Sequence, residues 1–363
     1  MFVIKKIKTA VILSAILFMF CFSNPVNAFA AGPDGTANNF INQNPFAFSM
    51  HKKNTFISFS ALQYAGFNSV YNNNGELISK PVQRQLLFIP SFVWTYRFLK
   101  KVNFFEIALP AGKQSVQDTI QQNLPNGKPN IMHSNGYQIT NSGIGSPVIF
   151  YGVEVWHKKL GSFKYNFMPM LVTVIPNNWN SNSINNIGSD EFNFELALTG
   201  GTGYKFNKKF SIALDYAIGE SYNLGHNSIN YAEATVAAPA TTSPNLTASP
   251  SGTGSYTNPG NNFIINTYLR FIFFKKLEIF NETVFENQSA NYGWFNTNPL
   301  SASSANLKYG YLNSGYQTLM TGLGISYHYG RIIGDVRLLK TLHAKNGPDM
   351  TLGLFSITIP FKF

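Results

Sequence analysis

A chain of 363 residues with 12% charged and 15% aromatic residues is not intrinsically disordered, because disorder needs many charges and few rings. The charged share is about half of the usual ~25%, which also argues against an ordinary soluble enzyme. The formal net charge of +11 leaves open a nucleic-acid or anionic-surface partner until the charges are located.

Residues 1–30 read as a secretory signal. Lys5, Lys6 and Lys8 form a basic start, and an apolar run from Val11 to Phe22 follows. That run is too short for the ~20 residues of a spanning helix, and Ala28-Phe29-Ala30 supplies a small-residue cleavage site. Cys21 is the one cysteine and lies inside this leader, after Phe18-Met19-Phe20, a poor lipoprotein context. The mature chain therefore has no disulfide, thiolate metal site or cysteine nucleophile. Losing the three leader lysines from +11 leaves +8. Residues 31–50, with Pro33, Gly35 and Pro45, read as an irregular tail, with a short plug in a lumen as the alternative.

From residue 51 to the end, segments of apolar and polar alternation recur between breaks, which is the period of β-strands. Strands are expected at 54–65, 85–99, 102–111, 145–157, 162–175, 191–206, 208–222, 261–274, 277–289, 314–329, 331–343 and 351–363. The breaks alternate in kind. Short ones are basic: Lys100-Lys101, Lys158-Lys159, Asn207-Lys208-Lys209, Lys275-Lys276 and Gly330-Arg331. Long ones, at 66–84, 112–142, 177–190, 223–260, 292–312 and 344–349, are rich in Gly, Asn, Ser and Pro. The stretch 223–260 is low-complexity and cannot bury a core. An even strand count with short turns at one end and long loops at the other describes a transmembrane antiparallel β-barrel, an all-β fold of about twelve strands, with fourteen the alternative. Such a barrel belongs in the outer membrane of a Gram-negative bacterium, with both termini periplasmic.

Alternation assigns faces. A charge facing lipid near the midplane would cost roughly 2–4 kcal/mol, so charged positions should face the lumen. The first half of the wall then contributes Arg97, Glu106, Glu154 and Lys164 to the lumen. The 191–206 and 208–222 hairpin contributes Glu191, Glu195, Lys205 and Asp215. Arg270 follows, then Glu278, Glu282 and Glu286 on one face with Phe280 and Val284 between them. Asp335, Arg337 and His343 share the inner face of 331–343, and Lys362 that of the last strand. These are nine acids and six bases, so cross-strand pairing alone could satisfy most of them; a selectivity role is the other reading. The five short turns hold nine bases and no acid, which accounts for the net charge. They suit anionic phospholipid headgroups, although plain solvation explains them equally well. No contiguous basic face suggests nucleic acid.

The final segment places Phe355, Ile357, Ile359, Phe361 and the terminal Phe363 on one face. A terminal aromatic of this kind is typical of outer-membrane barrels and resembles the signal read by the barrel assembly machinery.

Chemical motifs are weak. His133-Ser134-Asn135-Gly136 resembles the His-x-Ser-Asn-Gly of outer-membrane phospholipase A without its spacer, and adjacent strand residues point oppositely. No histidine pair has metal-ligand spacing. Gly200-Gly201-Thr202-Gly203 lies mid-strand with no helix after it, so close packing explains it better than phosphate binding. Neither catalytic residues nor a cofactor or metal is expected. Pro90, Pro147 and Pro169 fall inside strands and require bulges or strand ends, and a lateral opening of the wall is a further expectation.

Three segments carry a family resemblance. They are Ser142-Gly143-Ile144-Gly145-Ser146-Pro147 opening a strand, Val174-Ile175-Pro176-Asn177-Asn178 closing one, and Asn186-Ile187-Gly188-Ser189-Asp190-Glu191-Phe192. In these the chain resembles the meta-pathway of phenol degradation family of outer-membrane proteins, over roughly 85–363 in pattern. Ser146 replaces that family's acidic residue, and Pro176-Asn177-Asn178 its Pro-Thr-Gly. The resemblance implies a channel for passive uptake of small hydrophobic or aromatic compounds, in contact with membrane lipid, and offers no catalytic residues. A non-conducting surface or adhesion barrel and an outer-membrane lipid hydrolase are the alternatives.

Overall fold

The computed structural model describes residues 55–71, 77–79, 82–117, 121–123, 129–131, 139–176, 192–224, 227–228, 256–258, 261–288, 292–294, 316–345 and 348–362. Among the described residues the wall has twelve strands. They are β1 (Thr55–Tyr71), β2 (Val82–Phe98), β3 (Lys101–Ala108 and Ala111–Gln117) and β4 (Ile139–Ile144, Val148–Glu154 and Trp156–Leu160). Then come β5 (Phe163–Val174), β6 (Phe192–Lys205), β7 (Phe210–Leu224) and β8 (Asn262–Phe273). Last are β9 (Leu277–Gln288), β10 (Tyr316–Tyr329), β11 (Ile332–Lys345) and β12 (Pro348–Lys362). Each pairs antiparallel with its sequence neighbours, and β12 returns to β1 over Thr55↔Lys362 to Val70↔Pro348. Closure leaves no free edge, so every strand has two hydrogen-bonding neighbours.

Adjacent residues report the two faces. Leu338 is 60% exposed and Leu339 beside it 0%. The exposed face of the wall is apolar, with Leu196, Leu323, Ile325, Val336 and Leu338 among its residues. An exposed apolar belt around a closed barrel is stable in lipid and not in water. No helix among the described residues is long and apolar enough to cross a membrane; strands make the crossing.

The short-turn end is built from tight connections at Leu99-Lys100, Gly161-Ser162, Phe206–Lys209, Phe274–Lys276 and Gly330-Arg331. Leu99 and Lys100 both take positive φ, of 48° and 62°, the pattern of a two-residue hairpin turn whose twist matches the strands. The second short break differs from expectation. Lys158 and Lys159 lie within β4, and the turn follows them at Gly161-Ser162, where glycine accepts a φ of +58°. The nine turn-end bases are all exposed.

The long-loop end also differs. β1 runs six residues past its expected end, and β3 and β4 extend well into the expected 112–142 loop. The β3 and β4 extensions are mainly polar, so they lack the apolar alternation that marks a lipid-facing strand, whereas that of β1 keeps Phe67, Val70 and Tyr71. β11 and β12 reach into the expected 344–349 loop. The low-complexity 223–260 stretch carries Asn227–Ser228 and Tyr256–Asn258, which join Tyr292–Trp294 in a separate three-stranded sheet. Leu319↔His343 is followed by Met320↔Thr341, so Leu342 is an extra residue. This bulge reverses the alternation, and His343 is exposed rather than on the inner face with Arg337.

The prolines are stitched into the wall. Leu109 N–H donates to the Pro90 carbonyl at 3.0 Å, Gly145 to Pro110 at 2.7 Å and Ile175 to Pro147 at 2.9 Å. Each proline thus takes part through its carbonyl, which needs no N–H. At Pro169 the register moves from Met170↔Gly152 to Trp156↔Phe167, a one-residue bulge on β4, and Val155 N–H bonds the Phe167 carbonyl at 3.1 Å. Hydrogen bonds thus bridge the wall beside Pro90, Pro110, Pro147 and Pro169, although the strand pairing is interrupted at 145–147 and 153–155.

Candidate functional site: the barrel interior

The interior has two unlike sides. On β2–β5 it is largely apolar, with Leu87, Val93, Phe104, Phe150, Met168 and Val172 buried, although Ser91, Thr95, Glu106 and Glu154 are buried there too. On β6–β11 it carries charge. Among the described residues, eight acids and two arginines are buried, all but Glu106 on β3 and Glu154 on β4 on this side. They are Glu106, Glu154, Glu195, Asp215, Glu278, Glu282, Glu286, Asp335, Arg270 and Arg337. Arg97, Lys164 and Lys205 are exposed at the short-turn end, where the solvated mouth removes any need for pairing. The buried set is therefore more acidic than the sequence led us to expect. Glu191 and His133 lie outside the described residues, as do Phe363 and residues 1–54, and the Lys362 and Phe361 side chains are not described.

Each arginine gathers acids from neighbouring strands. Arg270 Nη1 meets Asp215 Oδ2 at 2.5 Å, while its Nε and Nη2 both donate to Glu278 Oε2, at 2.9 and 2.6 Å. Tyr268↔Asp215 and Ile272↔Glu278 are the register pairs, so both acids stand diagonal to Arg270, within reach of long side chains. His328 Nε2 lies 3.1 Å from the other Glu278 oxygen. Arg337 Nη1 donates to Glu282 Oε2 at 2.9 Å and to the Tyr268 hydroxyl at 2.8 Å, with Asp335 3.8 Å from Nε. Asp335 also accepts from the Ser356 hydroxyl. Asn266 Nδ2 reaches Glu282 at 3.0 Å, and Asn262 Nδ2 reaches Glu286 at 2.9 Å. Glu154 has His157 Nδ1 at 3.0 Å. Breaking such a buried pair by removing one partner typically costs 3–5 kcal/mol.

Two glycines make room for this network. A Cβ on Gly201 would fall 2.2 Å from Asp215 Oδ1, and one on Gly324 would fall 2.2 Å from the Phe280 ring. Gly324 sits between Phe280 and Arg337 in register, so its missing side chain lets β9 and β11 meet over β10. This is the close packing expected of the 200–203 glycines, with no phosphate loop.

Sequence reasoning missed Asn262, Asn266 and Tyr268. All three share the parity of Arg270 on β8, and that parity was the available signal. Ser356 and His328 were equally in phase with Thr358 and Ser326. Among the described residues no group of three or more His, Cys, Asp or Glu could hold a metal ion.

A closed antiparallel barrel with an apolar outer belt, short turns at one end and long connections at the other defines the class: an outer-membrane-type β-barrel. No protein-family model and no curated protein matches the chain. Among solved structures, an outer-membrane channel from Pseudomonas putida F1 superposes with a TM-score of 0.61 at 11% identity. The match covers 85% of this chain and 96% of that one, and it shows a shared fold. The translocator domain of the autotransporter NalP from Neisseria meningitidis superposes with a TM-score of 0.38 at 10% identity, covering 87% and 92%. A FadL homologue from Pseudomonas aeruginosa gives 0.34 at 9%, covering 94% and 99%. The last two superpositions are too loose to carry an argument.

Proposed function

We propose that the chain is an outer-membrane channel of a Gram-negative bacterium for passive uptake of small hydrophobic or aromatic compounds. The observation that carries this reading is the apolar inner side on β2–β5. Interiors of water-filled porins are polar, whereas Leu87, Val93, Phe150, Met168, Met170 and Val172 present aliphatic and thioether surface inward. Methionine is flexible and polarizable, so Met168 and Met170 can adapt to solutes of differing shape. A solute would pass down its gradient by pushing these closely packed side chains aside, while the Arg270 and Arg337 networks hold the opposite side rigid. The resemblance of residues 142–192 to the phenol-degradation family supports the same solute class.

In this account the leader at 1–30 directs export, residues 31–50 are a tail, and the outward face of β12 is read by the assembly machinery. The bases of the short turns contact the anionic inner leaflet. No catalytic step is assigned to the barrel.

A second reading, a non-conducting surface barrel, is favoured by one observation. Glu282, Tyr268, Phe280, Met320, Leu339 and Leu352 have no exposed surface, and Val172, Met168 and Phe150 on the other side have almost none, so the middle of the barrel is filled on both sides. Planar-bilayer recording separates the two. The channel reading expects resolved conductance steps, small because the middle of the barrel is filled. A well-inserted barrel that gives neither conductance nor solute flux refutes it.

A further inference from the structure

The outward face of β8–β10 carries four polar side chains joined by hydrogen bonds. Thr267 on β8 lies opposite Thr283 on β9, and Thr283 lies opposite Thr321 on β10. Asn281 stands two residues from Thr283 on the same face. Asn281 Nδ2 donates to the Thr321 hydroxyl at 3.0 Å and to the Gly322 carbonyl at 2.9 Å. The Thr283 hydroxyl donates to Asn281 Oδ1 at 3.1 Å and lies 3.1 Å from the Thr321 hydroxyl. The Thr321 and Thr267 hydroxyls donate to the backbone carbonyls of Glu282 and Thr283, at 3.1 and 3.3 Å.

All four point away from the lumen. They alternate along their strands with the buried Tyr268, Glu282 and Met320 and share the parity of the exposed Leu269, Ile279 and Leu323. Each strand has apolar outward residues on both sides of the polar ones. They are Leu269 and Ile265 on β8, Ile279 and Phe285 on β9, and Leu323 and Leu319 on β10. The cluster therefore lies within the lipid-facing belt, not at either rim. No water reaches that depth to solvate an amide or a hydroxyl. Hydrogen bonds within the cluster meet part of the need, but an amide oxygen turned towards acyl chains still carries a free-energy cost. Polar side chains at such positions act as glue between membrane-embedded proteins.

We propose that this patch is the contact surface between two copies of the chain in the membrane, with Asn281 at its centre. A partner has to come from within the bilayer and offer hydrogen-bonding groups at the same depth. A second copy does both, because the apolar belt holds every copy at one depth and one orientation across the membrane. Acyl chains offer neither donor nor acceptor. The amide is also self-complementary, with a donor and an acceptor on one group. A two-fold axis along the membrane normal, passing beside β9, sets Asn281 against Asn281. Each Nδ2–H then exchanges its bond to Thr321 for one to the Oδ1 of the second copy's Asn281. The short threonine side chains around it let the two walls approach closely. The surface does not touch the lumen, so it is independent of which solute the barrel passes.

The test is thiol cross-linking of the purified full-length barrel in lipid vesicles, with Cys21→Ser so that an added cysteine is the single thiol. Ile279→Cys puts that thiol on β9 beside Asn281, and Ile107→Cys puts it on the exposed face of β3, on the opposite wall. With a short bismaleimide, Ile279→Cys is expected to give dimers that persist as lipid is added. Ile107→Cys should give only collisional dimers that dilution removes. Asn281→Leu or Thr283→Val in the Ile279→Cys barrel should lower the dimer yield about three- to tenfold. Heat-modifiable mobility should stay that of a folded barrel; if Asn281→Leu does not fold, Thr283→Val and Thr321→Val decide. Equal yields from the two cysteines overturn the proposal, and so does an undiminished yield in the apolar variants. An Ile279→Cys adduct to another protein in whole outer membranes, with no dimer, gives the patch to a different partner and overturns it too.

Discussion

Arg337 on β11 donates a 2.8 Å hydrogen bond to the hydroxyl of Tyr268 on β8, across two intervening strands, and its guanidinium lies 5.8 Å from the Tyr268 ring centre. The same guanidinium holds Glu282 at 2.9 Å. Arg337→Leu would strand Glu282 and Asp335 as buried charges, and the expected loss is roughly 3–5 kcal/mol. Tyr268→Phe removes one hydrogen bond and leaves the ion pair, for a loss of about 1–3 kcal/mol. Urea unfolding in detergent, followed by heat-modifiable mobility, measures both. Equal losses would mean that the ion pair is not what matters.

Gly201 lies where a side chain would meet Asp215 Oδ1 at 2.2 Å. Gly201→Ala should push Asp215 away from Arg270 and destabilise by about 1–3 kcal/mol, as overpacking does. Asp215→Asn in the same background should then add less than it does alone, because coupled sites are not additive. The double-mutant cycle checks this. Full additivity would place the Gly201 effect elsewhere.

Leu323 and Leu338 are paired in the middle of β10 and β11, both on the outer face, 68% and 60% exposed. Leu338→Arg should cost roughly 2–4 kcal/mol, the cost of an arginine at the bilayer midplane. Leu342→Arg, beyond the midplane and next to the bulge, should cost less. Folding into vesicles gives the comparison, and a Leu338→Arg barrel as stable as wild type would contradict the lipid-facing assignment.

The outward face of β12 runs through Phe355, Ile357 and Ile359 towards the terminal aromatic. Deleting Phe363 should reduce the fraction of heat-modifiable barrel in membranes of expressing cells. It should leave refolding of the purified chain into detergent largely unchanged. A normal membrane yield would remove the assembly role from that residue.

The architecture was largely readable because lipid on one face and a lined interior on the other impose a period of two on every strand. The charges of β8 and β9 landed inside for that reason. Three things were hidden. The polar extensions of β3 and β4 rise beyond lipid, where no apolar face is needed. The Leu342 bulge turned His343 outward, and a one-residue register change leaves no mark on local composition. The exposed positions of Lys164 and Lys205 follow from depth along the barrel axis, and parity carries no information about depth.

The central claim is that the apolar side of the interior passes small apolar solutes. Proteoliposome flux tests it most directly, comparing a small aromatic compound with a sugar of equal size, in the wild-type barrel and in Val172→Trp. The account predicts faster entry of the aromatic through wild type than through protein-free vesicles, no sugar preference, and loss of the aromatic flux in Val172→Trp with the barrel still folded. Aromatic flux equal to that of protein-free vesicles, or sugar entering faster than the aromatic, would contradict it.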